Sequence, residues 1–204
     1  MNHTNSADET RGMVACAMRT TSSVLLLIGL VAVGYAAYAI ESARTYQAAH
    51  ERTFEATPAS VAPRIAEPPP EGSTLGRLQI PRLGLRVMVV QGDSPGILRR
   101  AVGHLPETTL PGEDGNAALA GHRDTLFRPL RGVRPGDVIT FETPSRVVRY
   151  QVEWMLVVPP SSMEVLQSSG ARELTLITCF PFDFVGAAPN RFIVRAREVS
   201  QMPR

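Results

Sequence analysis

The 17 residues from Val24 to Ile40, VLLLIGLVAVGYAAYAI, contain no charged side chain. In hydrocarbon every backbone N–H and C=O must be satisfied within the segment, so such a run folds as a helix if it enters a bilayer. With Ser22 and Ser23 it approaches the ~20 residues a helix needs to cross one. A signal peptide is the rival, because the run is short and alanine-rich and Tyr35 to Ala39 can be stretched into a cleavage site. The long tether that follows favours an uncleaved anchor. Cys16 precedes the run and does not close it, which argues against a lipoprotein signal. Arg11 and Arg19 on one side and Arg44 and Arg52 on the other give little charge bias. Orientation has to come from what the rest of the chain does.

After the run, residues 41–56 (ESARTYQAAHERTFEA) have helix-forming composition and read as a short stalk. From Thr57 to Gly76 the chain carries Pro58, Pro63 and Pro68-Pro69-Pro70, a semi-rigid extended spacer. The layout is therefore a tail at 1–21, a transmembrane anchor at 22–40, stalk and linker at 41–74, and a globular domain at 75–204. The core of that domain ends near Glu198.

All 21 basic residues are arginine, and the net charge is only +2. The charge gives no sign of a nucleic-acid surface, and no side-chain amine is present to form a Schiff base or accept an acyl group. Cys16 and Cys179 stand on opposite sides of the apolar run, so no disulfide between them is expected. No CxxC spacing suggests a metal site.

Within residues 75–198 the pattern is mainly β. Arg77–Ile80 and Leu85–Val90 flank a Pro-Arg-Leu-Gly turn and read as a hairpin. Ser94–Arg100 predicts one or two helical turns opened by Pro95. Further strands are predicted at 116–121, 137–142, 147–158, 173–179 and 191–197, with a short helical loop at 125–130 and a loop or short helix at 161–169. Short strands at this spacing, about eight in all, predict a small closed barrel.

Leu174-Thr175-Leu176-Ile177-Thr178-Cys179 reads as a buried strand that ends on a thiol, with Pro181 stopping the ladder beyond it. A free cysteine is usually a small buried hydrophobe; at a strand exit it is held rigidly beside a loop. His122 stands at a second strand exit, in Ala120-Gly121-His122. On the strand after the cysteine loop, alternation puts Arg191, Ile193 and Arg195 on one face and Phe192 and Val194 on the other. The loop Pro181–Pro189 is apolar and offers a substrate wall. Thiol, imidazole and guanidinium supply a nucleophile, a proton manager and an oxyanion donor. Arginine keeps its charge, so its part is donor and clamp, never base.

TLITC, the AGH segment and the downstream arginine strand together resemble the signature of sortases, the membrane-anchored cysteine transpeptidases. Three segments are especially similar to class D sortases: AVGH through PGEDGN, AGHRDTLFRPL, and TCFPFDFVGAAPNRFIVRA. The resemblance covers roughly residues 75–198. It implies an eight-stranded sortase-type β-barrel with short helices, preceded by one N-terminal transmembrane helix. It also implies Cys179 as nucleophile, His122 as general acid/base and Arg191 as oxyanion and substrate clamp. Ala120 and Thr178 match positions that line the sorting-signal groove. The implied reaction cleaves an LPxTG-like motif through a thioester that an amine resolves. Partners would be proteins with a C-terminal sorting signal, an amine acceptor from cell wall or protein, and the membrane. The domain would face outward with the N-terminus cytoplasmic. Arg195 competes for the clamp, although the RFIV pattern favours Arg191. His104 matches a family histidine without a catalytic role. No cofactor is implied, and Glu113 with Asp114 falls short of the about six to eight oxygens that calcium takes.

Other chemistries fit less well. His122-Arg123-Asp124 echoes a kinase motif, but residue 129 is proline where asparagine is needed, and no Gly-rich loop precedes it. The SHGC-type motif of L,D-transpeptidases is absent. A thiol hydrolase using water, or a silent membrane-tethered peptide-binding barrel, remains compatible with the same residues.

Overall fold

The computed structural model describes residues 5–58, 69–184 and 186–203. Residues 59–68, inside the proline-rich spacer expected from the sequence, lie outside that set, as does the side chain of Cys16. The chain divides into two units, Met1–Ser42 and Ala43–Arg204.

The first unit is built on helix α1, Asn5–Ala56. Helix is therefore already present in the segment read as a loose tail. The apolar run is long and apolar enough to cross a membrane. Its side chains are uncovered, Leu25 at 63%, Leu30 at 61% and Val31 at 64% exposure. A helix of this composition with no buried face is suited to hydrocarbon, not water.

The second unit begins with the last turns of α1, the segment read as stalk. Tyr46, Gln47, His50, Glu51 and Phe54 recur at helical spacing and share one face. That face lies on strands β1 (Thr74–Ile80) and β2 (Leu85–Gln91). Phe54 is 1% exposed, with the Arg77 guanidinium 5.0 Å from its ring centroid. Gln47 accepts from the Met88 N–H at 2.7 Å and donates to the Arg100 carbonyl at 2.8 Å. His50 Nδ1 lies 2.6 Å from Thr74 Oγ1, and Glu51 pairs with Arg77 and Arg86.

The remaining elements are α2 (Pro95–Leu98), β3 (Val102–His104), β4 (Asn116–Ala120), β5 (Val138–Glu142), β6 (Arg146–Val158), β7 (Glu173–Phe180) and β8 (Asn190–Pro203). The eight strands close into a barrel in the order β1-β2-β3-β4-β7-β8-β6-β5. Pairing is antiparallel except for β2 with β3 and β4 with β7. The hairpin, the strands and the helical loops predicted from the sequence are all present. Strand β3 is the addition: three residues are too few to show alternation, and Gly103 carries no side-chain signal. A Cβ at Gly103 would meet the Gly92 carbonyl oxygen at 2.3 Å, so only glycine fits that contact.

The barrel interior is filled by alternate residues of each strand, including Leu78, Val87, Leu119, Phe141, Tyr150, Leu174, Leu176 and Val194. The opposite residues of β4, β7 and β8 face outward. There Ile177 and Ile193 join Val158, Val165 and Leu166 in a separate apolar cluster.

Candidate active site on the outer face of β4, β7 and β8

Register brings the expected residues together. In the antiparallel β7–β8 ladder Cys179 stands directly opposite Arg191, and Ile177 opposite Ile193. Directly paired residues project from the same face, so thiol and guanidinium leave the sheet side by side. Strand β7 runs one residue further than expected, to Phe180 opposite Asn190, and stops before Pro181. The thiol therefore sits one rung inside the ladder's end and is partly exposed.

His122 arrives from β4. The parallel ladder ends at Ala120 opposite Ile177, and the Gly121 N–H then donates to the Ile177 carbonyl at 3.1 Å. Two residues on from that last pair are His122, just past the end of β4, and Cys179 on β7. The His122 carbonyl accepts the Phe127 N–H at 3.0 Å, closing a turn that leaves the imidazole exposed. Gly121 is required between them, since a Cβ there would meet the Phe127 ring at 2.8 Å.

Ala120 is half-buried on the Cys179 face. Thr178 is not on that face. It is 2% exposed, and its hydroxyl donates to the Gly121 carbonyl at 2.7 Å. A residue next to Cys179 in a strand points its side chain the other way. Its hydroxyl ties the cysteine strand to the segment that carries His122.

The two arginines of β8 differ. Arg191 is half-buried, and its Nη1 donates to the Asn190 and Ala188 carbonyls at 3.1 and 3.4 Å, at the end of the loop from Cys179. Arg195 is 5% exposed and paired with Glu173 at 2.8 Å, four rungs from Cys179. Only Arg191 is beside the thiol.

Arg123 lies within the AGHRDTLFRPL segment, but the sequence assigns it no role. It is 5% exposed, and its Nη2 donates to the Phe184 and Gly186 carbonyls at 2.6 and 3.0 Å. It thus fastens the 181–189 loop to the histidine segment. At the root of that loop the rings of Phe180, Phe182 and Phe192 pack with centroids 5.4 to 6.3 Å apart.

Thiol and cation thus leave β7 and β8 side by side, with His122 just past the end of β4 and an apolar cluster on the same face of the sheet. The Sortase domain family matches residues 78–199. The chain is 31% identical to Sortase D of Bacillus subtilis over 133 residues, 65% of this chain and 67% of that protein. It is 36% identical to Sortase SrtE1 of Streptomyces coelicolor over 152 residues, 65% of this chain and 42% of that protein. The crystal structure of sortase E1 from Streptomyces coelicolor superposes with TM-score 0.59 at 33% identity, covering 64% of this chain and 91% of that one. The Sortase D5 transpeptidase of Clostridium perfringens shares the fold at TM-score 0.67 and 23% identity, over 78% of this chain and 99% of that one. With the family domain filling the barrel, the chain belongs to the sortase family of cysteine transpeptidases, and class D sortases are among those it is similar to.

Proposed function

We propose that this protein is a membrane-anchored transpeptidase that cleaves an LPxTG-like sorting signal at Cys179 and passes the acyl group to an amine. The observation that carries the reading is the shared register of β4, β7 and β8, in which Cys179 pairs with Arg191 and His122 follows the partner of Ile177 by two residues. The Cys179 thiol passes its proton to His122 and its sulfur attacks the scissile carbonyl carbon, forming a C–S bond and an oxyanion. Arg191 donates to that oxyanion, a part its planar fork fills without ever releasing a proton. His122 protonates the leaving nitrogen as the C–N bond breaks, and a thioester remains. An incoming amine then attacks the thioester, His122 takes its proton, and as the C–S bond breaks His122 gives that proton to the sulfur, restoring the thiol. Ala120 belongs to the surface that the signal peptide meets. Thr178 acts through Gly121.

The acceptor amine belongs to another molecule, because the chain has no lysine. In the orientation this reaction needs, α1 anchors the chain, the barrel is extracytoplasmic, and the N-terminal amine is on the other side. A peptide fits the site class: the Streptomyces coelicolor sortase E1 structure has a tripeptide in its active site.

The test is incubation of the full-length chain in detergent micelles with a pool of sorting-type peptides and amines, with products identified by mass spectrometry. Peptide–amine conjugates are expected, none with Cys179→Ala, and Arg191→Lys is expected to lose about 100-fold in turnover. Products carrying only a free carboxylate would instead make the protein a hydrolase. Turnover retained by Cys179→Ala would remove the thiol mechanism.

A further inference from the structure

Arg195 is a permanent cation with 5% exposure, set on the outward face of β8 where a sheet surface would ordinarily be wet or apolar. A buried charge is tolerated only when paired and hydrogen-bonded; the guanidinium lies 5.5 Å from the Trp154 ring centroid, and its hydrogen-bonding partners all lead to the same place. Its Nη1 pairs with Glu173 at 2.8 Å, and its Nη2 donates to the Val165 carbonyl at 2.7 Å and the Gln167 carbonyl at 3.3 Å. Glu173, itself 5% exposed, accepts the Ser169 N–H at 3.1 Å and the Ser169 hydroxyl at 2.9 Å. Asn116 on β4 is 3% exposed; its Nδ2 donates to the Leu166 carbonyl at 3.0 Å, while its Oδ1 accepts from Thr175 at 2.8 Å. Three buried polar side chains from three strands thus hold the backbone of 165–169 at its carbonyls and one amide.

The held segment, a 3-10 turn at Met163–Leu166 and the residues after it, has little apolar support of its own. Only Val165 and Leu166 reach the sheet, where they meet Val158, Ile177 and Ile193. Ile177 and Ile193 are the ladder pair next on this face to Cys179 and Arg191. The segment therefore covers the apolar pair that precedes Cys179 and Arg191 on this face, and buried polar bonds fix its backbone there in addition to that packing.

We propose that Arg195, with Glu173 as its fixed counter-charge, is a positioning residue for peptide binding: it holds the 165–169 wall against the apolar surface that leads to Cys179. This deepens the transpeptidase reading and rests on it. Arg195 touches no reacting atom. It governs how well an apolar peptide side chain is held, and leaves the thiol's own chemistry alone.

Removing Arg195 by itself would strand a buried carboxylate and endanger the fold. The test variant is therefore Arg195→Met/Glu173→Met, since replacing a buried pair by apolar residues of similar volume is often neutral. Three readouts are taken on the full-length chain in micelles. Amide exchange at Gln167 and Ser169 is expected to quicken about 10-fold or more while β7 and β8 exchange as before. Alkylation of Cys179 by iodoacetamide is expected to proceed at the wild-type rate. Peptide KM is expected to rise about 10-fold with kcat within about twofold, the signature of lost positioning in binding. Unchanged exchange at 165–169, or an unchanged KM with the wall loosened, overturns the proposal. So does a parallel loss of alkylation, which would tie Arg195 to the thiol itself. If the wild type turns over no peptide, the transpeptidase reading fails, and with it the claim on binding; the exchange result then decides separately whether Arg195 holds the wall.

Discussion

The bond from Thr178 to the Gly121 carbonyl crosses from the strand of the nucleophile to the segment of the histidine, and it runs through the barrel side of the sheet. Both groups are buried, so a lost donor leaves an unsatisfied carbonyl. Thr178→Val keeps the volume and removes only the hydroxyl. It is expected to cost about 1–3 kcal/mol in stability, read from the unfolding midpoint, and to lower turnover about 10-fold by freeing His122 from its register with Cys179. Turnover at the wild-type level would mean that Gly121 and the Phe127 turn hold the histidine unaided. At this scale the sequence was informative about identity and silent about direction. Thr178 was legible as a neighbour of the cysteine, but alternation aims it away from the groove. Arg195 competed with Arg191 for the clamp, and the burial of Arg195 and of Arg123 depends on segments far away in sequence, at 165–173 for the one and at Phe184 and Gly186 for the other.

Among the elements, β7 was legible because it has alternation and a clear terminator in Pro181, and β8 because it alternates from Arg191, although it runs to Pro203, past the end expected at Arg197. Strand β3 was not, since it exists through its pairing with Val89–Gln91 and Leu119–Ala120, not through any pattern of its own. The last turns of α1 are the instructive case. Their composition gives helix; that the helix is docked follows from Tyr46, His50 and Phe54 falling on one face that meets β1 and β2. Phe54→Ala removes the most buried of these side chains and is expected to destabilise the second unit by about 3 kcal/mol. The measurement is denaturant unfolding of the full-length chain, followed by the fluorescence of Trp154, its single tryptophan. A midpoint equal to wild type would mean that the helix rests on the barrel without supporting it.

For the molecule as a whole, the pH dependence of stability should be set near neutrality by His104, the more deeply buried, together with His50, whose pKa is also held down by burial and by Arg100. His104 is 1% exposed at the end of β3, with its ring nitrogens 2.9 Å from Gln91 Oε1 and 2.8 Å from the Thr109 carbonyl. Burial pushes its pKa below the ordinary histidine value, and the opposing pull of the Thr109 carbonyl and Glu113 does not cancel this. A depressed pKa means that the unfolded chain binds the proton more readily. Stability is then full above the unfolded value of about 6.5 and falls as pH drops below it toward the folded value. The unfolding midpoint is expected to decline between about pH 7 and 5, with His104→Gln flattening that slope whatever its effect on the plateau. An equal slope in the variant would assign the decline to other groups.

The sequence by itself determined the apolar helix, the barrel's main strands and the residue types of the site, because each rests on local pattern: a charge-free run, alternation, and reactive side chains at strand exits. Only the tertiary structure decided which side chains share a face, which of two arginines stands beside the thiol, and which charges are buried as scaffolding. Those outcomes depend on register between β4, β7 and β8, and on loops that fold back over them. Register is a relation between strands distant in the chain, fixed by what the closed barrel can bury together.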